Sequence, residues 1–349
     1  MKKLIKIAGA GVSGITSAIN LKRRGYDVEI YEKKETIAHR FKGDFQGIEN
    51  WTTHDDALEL IKSYGIELNF DITPSNSFNV CGPKRQTKHF DSERTIYYLI
   101  QRGVEKGNLD HSLYNQAINE GVKIFFDIKD LPEDIDIGAT GPSRASAIIL
   151  GYNFKTDYPN THLMLCDNNL APRGYAYLLI VNGAGTIATA FMSNDKNPNI
   201  YLENTLKAVK DIYEINLTDV KKFGTYGSFS SPNLYMDKDK MLVGEAAGLQ
   251  DFLFGFGLRY AMFSGYLAAK CIDENLDYKQ VAESYFSNTI KASLVNRFLY
   301  EQLGNDTYDF MIDKMLNVKD LVNFLESKYN FNLKRKILYP IAKRKYIHK

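Results

Sequence analysis

A glycine-rich turn near the start of the chain constrains its fold more than any other feature. An apolar run, Leu4 to Ala8, leads into a turn with glycine at Gly9, Gly11 and Gly14, and an amphipathic stretch from Ile15 to Arg24 follows. The first glycine permits the turn, the second leaves room for a pyrophosphate, and the third lets the helix pack closely. We therefore predict a strand, turn and helix whose first N–H groups bind a phosphate.

An acidic residue strengthens this prediction. A second strand, predicted from Val28 to Tyr31, ends at Glu32, about twenty residues past the glycines, where such folds hold a ribose hydroxyl. A carboxylate there repels a 2′-phosphate. The nucleotide is therefore predicted to be of the NAD or FAD type rather than NADP.

A second glycine-rich segment, Gly244 to Gly257, lies late in the chain. It follows a strand predicted over Lys240 to Val243 and overlaps the start of an apolar helix predicted from Gly257 to Ile272. A third strand, Asp134 to Gly141, also ends in glycine. Because only a long cofactor spans two separate backbone cradles, we predict FAD.

The predicted FAD-binding residues come from these segments, from the acid and its neighbour, and from two arginines. They are Gly9, Gly11, Val12, Ser13, Gly14, Glu32, Lys33, Arg40, Arg94, Ala139, Thr140, Gly141, Gly244, Glu245, Gly255, Phe256, Gly257 and Leu258. Each arginine is either a ligand of the adenosine phosphates or ribose, or an ordinary surface residue.

The composition is that of a globular protein, with 44% apolar and 25% charged residues. No apolar run reaches the roughly eighteen residues of a membrane span. The three cysteines, Cys81, Cys166 and Cys271, have no paired spacing, which argues against a disulfide framework and against a metal centre. Since the first strand is needed by the nucleotide fold, it is not expected to be a cleaved signal, and we expect a cytoplasmic protein.

The pattern along the chain predicts an α/β fold in three parts. A discontinuous Rossmann-like FAD-binding domain comprises residues 1–68, 91–142 and 237–275, and an inserted antiparallel-sheet substrate domain comprises 69–90 and 143–236. Residues 276–349 form a C-terminal helical region with a basic tail.

Several local predictions follow from the same pattern. In the first domain we expect a turn-rich segment at Arg40–Gly47 and helices at Asp55–Tyr64 and Arg94–Arg102. In the substrate domain we expect strands at Phe154–Asp157, His162–Cys166, Tyr175–Val181, Thr186–Phe191 and Val220–Tyr226, and a helix at Asn199–Tyr213.

The final stretch of the chain carries seven positive charges and no negative ones. The cations are Lys334, Arg335, Lys336, Lys343, Arg344, Lys345 and Lys349, and the interleaved apolar residues are Leu333, Ile337, Leu338, Ile341 and Ile347. Pro340 is expected to interrupt the helix. This tail either lies on an anionic membrane surface or packs on the body with a solvated basic face, and the second reading is favoured. Nucleic-acid binding is not predicted, because no recognised module accompanies the tail.

Three glycine segments in this order around a sheet insertion resemble the p-hydroxybenzoate hydroxylase superfamily of flavoproteins, and most of all its geranylgeranyl reductase family. The resemblance covers roughly Ile5 to Ile272. The family's substrate-domain motif is of the kind Pro-x-Gly-Tyr-x-Trp-x-Phe-Pro, and here Pro172, Gly174 and Tyr175 match it. Tyr177, Leu179 and Ile180 replace the tryptophan, phenylalanine and final proline.

The late segment resembles the family motif Gly-Asp-Ala-Ala-Gly-Leu-x-Asn-Pro-Leu-x-Gly-Glu-Gly. The matching residues are Gly244, Ala246, Ala247, Gly248, Leu249, Leu253, Gly255 and Gly257, and the departures are Glu245, Asp251, Phe252 and Phe256. The family often has a cysteine in the loop after its first acid. Residues 44–47 hold none, so a mechanism that uses that thiol is not expected.

The resemblance implies reduction of carbon–carbon double bonds in an isoprenoid lipid or a similar long apolar substrate. The expected catalytic candidates are Tyr175, Tyr177, Phe252 and Phe256. The phenylalanines, together with Phe254, would wall the pocket, and a tyrosine across from them would orient or protonate the substrate. The alternative is that both tyrosines are plain core residues, as aromatic residues at strand spacing more often are.

Two other functions stay open at this point. One is an aromatic-ring hydroxylase, against which the loss of the late proline counts, and the other is a flavin-containing redox sensor without turnover. Since no second dinucleotide fold is found, electrons would come from transiently bound NADH or from a ferredoxin-like partner.

Overall fold

The computed structural model describes residues 3–142, 146–192, 196–228 and 234–346. The predicted start of the larger substrate segment, Ser143, and the tail residues Ile347 and Lys349 lie outside these ranges. The strands are β1 (Leu4–Ala8), β2 (Asp27–Tyr31), β3 (Phe45–Glu49), β4 (Thr73–Ser75), β5 (Ser77–Cys81), β6 (Thr87–Asp91), β7 (Tyr97–Gln101), β8 (Lys123–Phe125), β9 (Ile137–Gly138), β10 (Ala147–Lys155), β11 (Thr161–Leu165), β12 (Tyr175–Val181), β13 (Ala184–Phe191), β14 (Thr218–Gly227), β15 (Met236–Asp237) and β16 (Lys240–Leu242). The helices are α1 (Val12–Arg23), α2 (Ala57–Ser63), α3 (Leu109–Asn119), α4 (Asn199–Ile212), α5 (Leu258–Glu274), α6 (Tyr278–Tyr300), α7 (Asn305–Leu316), α8 (Leu321–Ser327) and α9 (Leu333–Tyr346).

A six-stranded sheet in the order β15-β16-β9-β1-β2-β8 forms the part that is predicted to bind the nucleotide. The strand β1 pairs in parallel with β2 and β9, and β9 pairs in parallel with β16. The three glycine-ended strands of the sequence are therefore neighbours, and their carboxyl ends meet at one edge, which is where such sheets bind ligands.

Helices α1 and α5 pack closely against each other. A Cβ built on Gly265 of α5 would lie 2.4 Å from the carbonyl oxygen of Ser13 in α1, so glycine is what permits this approach. The buried residues Ile15 and Ile19 of α1 belong to the same core as Met262 of α5. This packing brings the first turn of α1 beside the late glycine segment.

A seven-stranded sheet in the order β14-β10-β13-β12-β11-β5-β6 forms the second part. Four of its five predicted strands and the helix α4 are confirmed, whereas the strand expected at Phe154–Asp157 overlaps only the end of β10, which runs from Ala147 to Lys155. Side chains of β12 alternate between the two faces. Ala176, Leu178 and Ile180 are buried in the cluster that includes α4, so Tyr175 and Tyr177 point to the opposite face.

The predicted helix from Arg94 to Arg102 is wrong. Residues Tyr97 to Gln101 form β7, the central strand of a three-stranded sheet in the order β3-β7-β4. Tyrosine and isoleucine favour strands, and β7 is paired on both sides, so residue preference and sheet pairing both favour a strand here. Its partner β3 also begins inside the segment that was expected to be only turns.

The chain beyond residue 276 is helical as predicted, but the expected interruption at Pro340 is wrong. Helix α9 runs through this residue. Pro340 is exposed, so water can satisfy the carbonyl that its missing N–H leaves unpaired. In the described ranges, no helix is long and apolar enough to cross a bilayer.

Candidate functional site

The nucleotide end of the site is built by the turn after β1. Gly9 has φ 102°, and a Cβ there would lie 2.4 Å from the carbonyl oxygen of Ala139. A Cβ on Gly14 would lie 2.1 Å from the carbonyl oxygen of Gly9. Both glycines are therefore required for close packing of backbone on backbone, as the sequence predicts.

Gly11 has a different environment. A Cβ built on this residue would meet no atom within 4 Å. Gly11 directly precedes α1, whose N-terminus has no side-chain cap. The structure thus leaves open space beside Gly11, next to the uncapped N-terminus of α1, where a nucleotide phosphate is expected.

Glu32 lies at the end of β2 beside this turn. Its Oε2 accepts a hydrogen bond from the N–H of Ala10 at 2.8 Å, and its Oε1 accepts one from the N–H of Lys34 at 2.9 Å. These contacts hold the carboxylate next to the glycine turn, in the position expected for a ribose ligand. The neighbouring Lys33 is exposed.

The loop after β9 completes this end. The N–H of Ala139 donates to the carbonyl oxygen of Ala8 at 2.7 Å, which places the loop next to the first turn. Thr140 is exposed, and Gly141 has φ 80°, with no atom within 4 Å of where its Cβ would lie. The predicted residues Ala139 to Gly141 therefore lie beside Gly9.

The two glycine clusters are brought together in space. Gly244, with φ 59°, opens a short 3₁₀ turn that ends at Ala247. A Cβ on Gly244 would lie 2.7 Å from the Oγ of Ser13, and its N–H donates to the Oγ of Ser264 at 2.9 Å. The fold therefore places the start of the late glycine segment next to the first turn of α1, and a single cofactor site bordered by both segments stays a prediction.

The two predicted arginines are separated by the fold. Arg40 Nη2 lies 3.2 Å from Glu245 Oε2, so two predicted cofactor residues form a partly exposed ion pair. Arg94 precedes β7 instead of opening a helix, and its guanidinium contacts the carbonyl oxygen of Asn50 at 3.3 Å and Glu326 at 4.0 Å. The helix on which the Arg94 prediction rested is absent from this segment.

Sequence reasoning missed the buried carboxylate of Asp251, which organises the loop before α5. Its oxygens accept hydrogen bonds from the N–H of Phe254 at 2.7 Å, the N–H of Leu253 at 3.2 Å, Ser293 Oγ at 2.6 Å and Tyr329 OH at 3.0 Å. Burial raises the pKa of this carboxyl above its ordinary value. The one sequence signal was an acid inside an otherwise apolar segment.

The same loop is closed by backbone hydrogen bonds. The N–H of Asp251 donates to the carbonyl oxygen of Phe256 at 2.7 Å, and the N–H of Gly255 donates to the carbonyl oxygen of Asp251 at 2.9 Å. Gly255 has φ 78°, which glycine adopts without strain. Gly257 then precedes Leu258, the first residue of α5, whose N-terminus has no side-chain cap.

Two phenylalanines of this loop join an aromatic cluster, which we define as Trp51, Tyr97, Tyr175, Tyr177, Phe254 and Phe256. The Trp51 ring lies edge-on to Phe254 at 5.8 Å and to Phe256 at 5.1 Å between centroids. The Tyr175 hydroxyl donates to the carbonyl oxygen of Phe254. Tyr175 therefore lies against Phe254, whereas Tyr177 joins the cluster through its contact with Tyr175.

Phe252 is placed differently from its prediction as a pocket wall. Its side chain is 1% exposed and belongs to the core around α1 and α5. The N–H of Phe252 donates to Ser293 Oγ at 2.5 Å. The Phe252 ring therefore packs into the core around α1 and α5 and anchors the loop there. It is not part of the aromatic cluster.

Phe256 depends on a glycine of β3. A Cβ on Gly47 would lie 2.2 Å from Cε1 of the Phe256 ring, so this ring packs directly on the backbone of β3. The contact joins the loop before α5 to the three-stranded sheet. It was not predicted, because Gly47 and Phe256 are far apart in the sequence.

Burial sets the protonation of the tyrosines in the aromatic cluster. It raises the pKa of Tyr175 and of Tyr177 above the ordinary value, and that of Tyr97 to about 12. All three phenols therefore stay protonated at neutral pH and can donate hydrogen bonds or protons. None of them can act there as a ready base.

A buried histidine lies at the edge of this cluster. His162 Nδ1 is 2.7 Å from Ser75 Oγ and 3.2 Å from Tyr97 OH. Burial lowers the pKa of His162 from 6.5 to about 4. The imidazole is therefore neutral at physiological pH.

The depressed pKa of His162 predicts how stability changes with pH. Since the folded pKa lies below the unfolded value, its contribution is fully present above pH 6.5 and is lost as the pH falls towards 4, up to about 3 kcal/mol. We expect His162→Asn, which retains a polar atom near Nδ1, to remove this dependence. Urea unfolding of both proteins between these pH values measures it, and parallel pH profiles would contradict the assignment.

Comparison with known proteins agrees with this architecture. Residues 7–62 match the family model of an NAD(P)-binding Rossmann-like domain, whereas no curated protein sequence matches the chain. Among solved structures, a geranylgeranyl bacteriochlorophyll reductase-like protein from Thermoplasma acidophilum has a TM-score of 0.72 at 17% identity, covering 99% of this chain and 98% of that one.

Other solved structures share the fold with different named activities. The flavin-dependent brominase Bmp2 has a TM-score of 0.66 at 17% identity, covering 98% of each chain. The enzyme 2-methyl-3-hydroxypyridine-5-carboxylic acid oxygenase has a TM-score of 0.58 at 14% identity, covering 93% of this chain and 95% of that one. The chain thus has the fold of flavin-dependent oxidoreductases, which confirms the predicted fold class and agrees with the expected FAD cofactor. At these identities the likeness defines the fold and leaves the reaction open.

Proposed function

We propose that the protein is an FAD-dependent oxidoreductase that reduces carbon–carbon double bonds in a long apolar substrate, such as an isoprenoid. The observation that carries this proposal is the aromatic cluster at the loop before α5. It continues into apolar residues of the substrate sheet and of α7, namely Phe78, Phe90, Met164, Met311 and Met315. Aromatic and methionine side chains form an adaptable apolar surface, and such a surface suits an alkyl substrate better than a polar substrate.

The residues around the glycine turns fit FAD. Gly11 and the uncapped N-terminus of α1 leave room for the pyrophosphate, and Glu32 stands where the ribose would be held. The uncapped N-terminus of α5 offers N–H groups and a positive dipole end to the flavin ring. When bound, the reduced cofactor supplies the hydride.

The protein's own task is positioning, exclusion of water and proton delivery. An isolated alkene is a poor hydride acceptor, so its carbon must be held within about 3.5 Å of the hydride donor. Tyr175 already donates its hydroxyl to Phe254, whereas Tyr177 lies beside it at 6.0 Å between ring centroids. Tyr177 is therefore the better candidate to orient or protonate the substrate.

The test begins with protein reconstituted with FAD and reduced by dithionite without air. Addition of an isoprenoid lipid should reoxidise the flavin and yield a saturated lipid detectable by mass spectrometry. We expect Tyr177→Phe to slow reoxidation about 100-fold if its hydroxyl is the proton donor. The matched control Tyr226→Phe alters an exposed residue of β14 and should change nothing. A reduced flavin that does not respond to the lipid argues against the proposal.

A flavin-dependent monooxygenase is the second candidate, because the similar structures include an oxygenase. Rapid NADH oxidation stimulated by a phenol, with consumption of oxygen, would favour it. A flavin that is reduced and reoxidised without any product would instead favour a redox sensor. The physiological electron donor, NADH or a ferredoxin-like protein, is identified by which of them reduces the bound flavin.

A further inference from the structure

Helix α9 is fixed on the body of the protein in one orientation. Ala342 and Tyr346 are buried in its contact with α6. Lys345 Nζ lies 2.6 Å from Glu301 Oε2, and Arg335 Nη2 donates to Asn296 Oδ1 at 2.9 Å. These contacts determine which side of α9 faces outward.

The outward side carries a row of large apolar residues, which we call the α9 stripe: Leu333, Ile337 and Ile341. They follow each other at intervals of four residues, so they share one face of the helix. Their exposed fractions are 72%, 66% and 53%. Single exposed apolar residues are common, but an aligned row of three marks an interaction surface.

Cations border the α9 stripe. Lys334, Lys336, Lys343 and Arg344 are exposed, and none forms an ion pair with another described residue. By helical spacing, Lys336 and Lys343 lie along one edge of the α9 stripe, and Lys334 lies along the other edge. Arg344 points in the same direction as the stripe itself. Residues 333–346 contain no acid.

We propose that α9 docks on an anionic phospholipid surface, with the α9 stripe inserted at the acyl boundary and the flanking cations on lipid phosphates. Long basic side chains can bend away from apolar groups to reach the headgroups. A second copy of this chain fits the face poorly, because it would bring the same cations together. The proposal does not depend on which reaction the enzyme performs.

Vesicle sedimentation of the full-length protein tests the proposal. We expect binding to vesicles of equimolar phosphatidylcholine and phosphatidylglycerol, and little binding to phosphatidylcholine alone. The double variant Ile337→Glu and Ile341→Glu should weaken binding about 100-fold or more. The control Val220→Glu changes a residue of β14 that is 48% exposed and should bind as the unaltered protein does.

A second pair of variants tests the charges. Replacing Lys336 and Lys343 by Gln should weaken binding about fivefold for each cation removed, and added salt should weaken it further. The same replacements at the exposed residues Lys106 and Lys207 are the control.

Three results would overturn the proposal. The first is unchanged vesicle binding after the stripe is altered, and the second is equal binding to vesicles with and without phosphatidylglycerol. The third is a protein dimer in solution that the isoleucine variants dissociate while vesicle binding is absent, because the face would then join two copies of the chain. Thermal unfolding of each variant checks that it is folded, and none of these measurements requires turnover of a substrate.

Discussion

Gly11→Ala is expected to weaken FAD binding roughly 10- to 100-fold while the apoprotein unfolds at the same temperature. A Cβ at this position meets no protein atom within 4 Å, so the folded chain accepts it without strain. The methyl group would instead occupy the space in front of α1, where the pyrophosphate is expected. Fluorescence titration with FAD and thermal unfolding without FAD measure the two effects separately.

Two other glycines serve as controls for this prediction. Gly14→Ala places a Cβ 2.1 Å from the carbonyl oxygen of Gly9, so it should destabilise the protein itself by several kcal/mol, in the upper range of single substitutions. Gly304→Ala, at an open position before α7, should leave FAD binding unchanged. If Gly11→Ala binds FAD as tightly as the unaltered protein, the phosphate does not lie in front of α1.

The contrast between Gly11 and Gly14 illustrates what the sequence could predict. The strand, turn and helix form a local motif within a few residues, so its geometry follows from the order of the glycines. The environments of Gly9 and Gly14 are also partly set by Ala139, which lies far along the chain. Sequence reasoning could therefore assign Gly11 to phosphate binding and Gly14 to helix packing, and the structure shows the packing contact of Gly14 with Gly9.

Elements without such a motif were predicted less well. Strand β7 lies in a continuous apolar run, whose pattern alone does not distinguish a strand from a helix, and its pairing with β3 and β4 makes it a strand. The contact of Phe256 with Gly47 likewise depends on β3 lying against the loop before α5. These features arise from long-range contacts, which one sequence does not reveal.

Helix α9 was also predicted only in part from the sequence. Its basic character was evident from the sequence, and its packing on α6 leaves a basic and apolar side free, so the two predicted alternatives do not exclude each other. The sequence could not decide which apolar residues face the body. Ala342 and Tyr346 are the buried ones, and the aliphatic residues Leu333, Ile337 and Ile341 are left outside.

The largest loss of stability is expected from Asp251→Ala, which should lower the free energy of unfolding by about 3–5 kcal/mol. The substitution leaves the N–H of Phe254, the N–H of Leu253 and the hydroxyls of Ser293 and Tyr329 without their shared acceptor. Asp251 is 0% exposed, so water cannot easily replace the carboxylate. Urea unfolding measures the loss, and a change below about 0.5 kcal/mol would contradict it.

A second buried acid serves as a control, because it distinguishes a local effect on the loop before α5 from a general loss of stability. Asp167 is 2% exposed, pairs with Arg85 at 2.7 Å and accepts a hydrogen bond from Asn305 Nδ2 at 2.8 Å. We expect Asp167→Ala also to destabilise the protein while the absorbance spectrum of bound flavin stays unchanged. Asp251→Ala should alter that spectrum as well, because the loop that precedes α5 loses its anchor.

The ionisation of Asp251 adds a pH dependence of known sign. Burial raises the pKa of Asp251 in the folded protein above the unfolded value of 3.8. The stabilisation that comes from this raised pKa is therefore fully present below pH 3.8 and is lost as the pH rises through the folded pKa. The stability of the unaltered protein relative to Asp251→Asn should therefore increase as the pH is lowered from neutrality towards 3.8. Other acids titrate equally in both proteins and cancel in the difference. A difference that stays constant over this range would mean that the pKa of Asp251 is not raised, and its hydrogen bonds would then outweigh the cost of burying the charge.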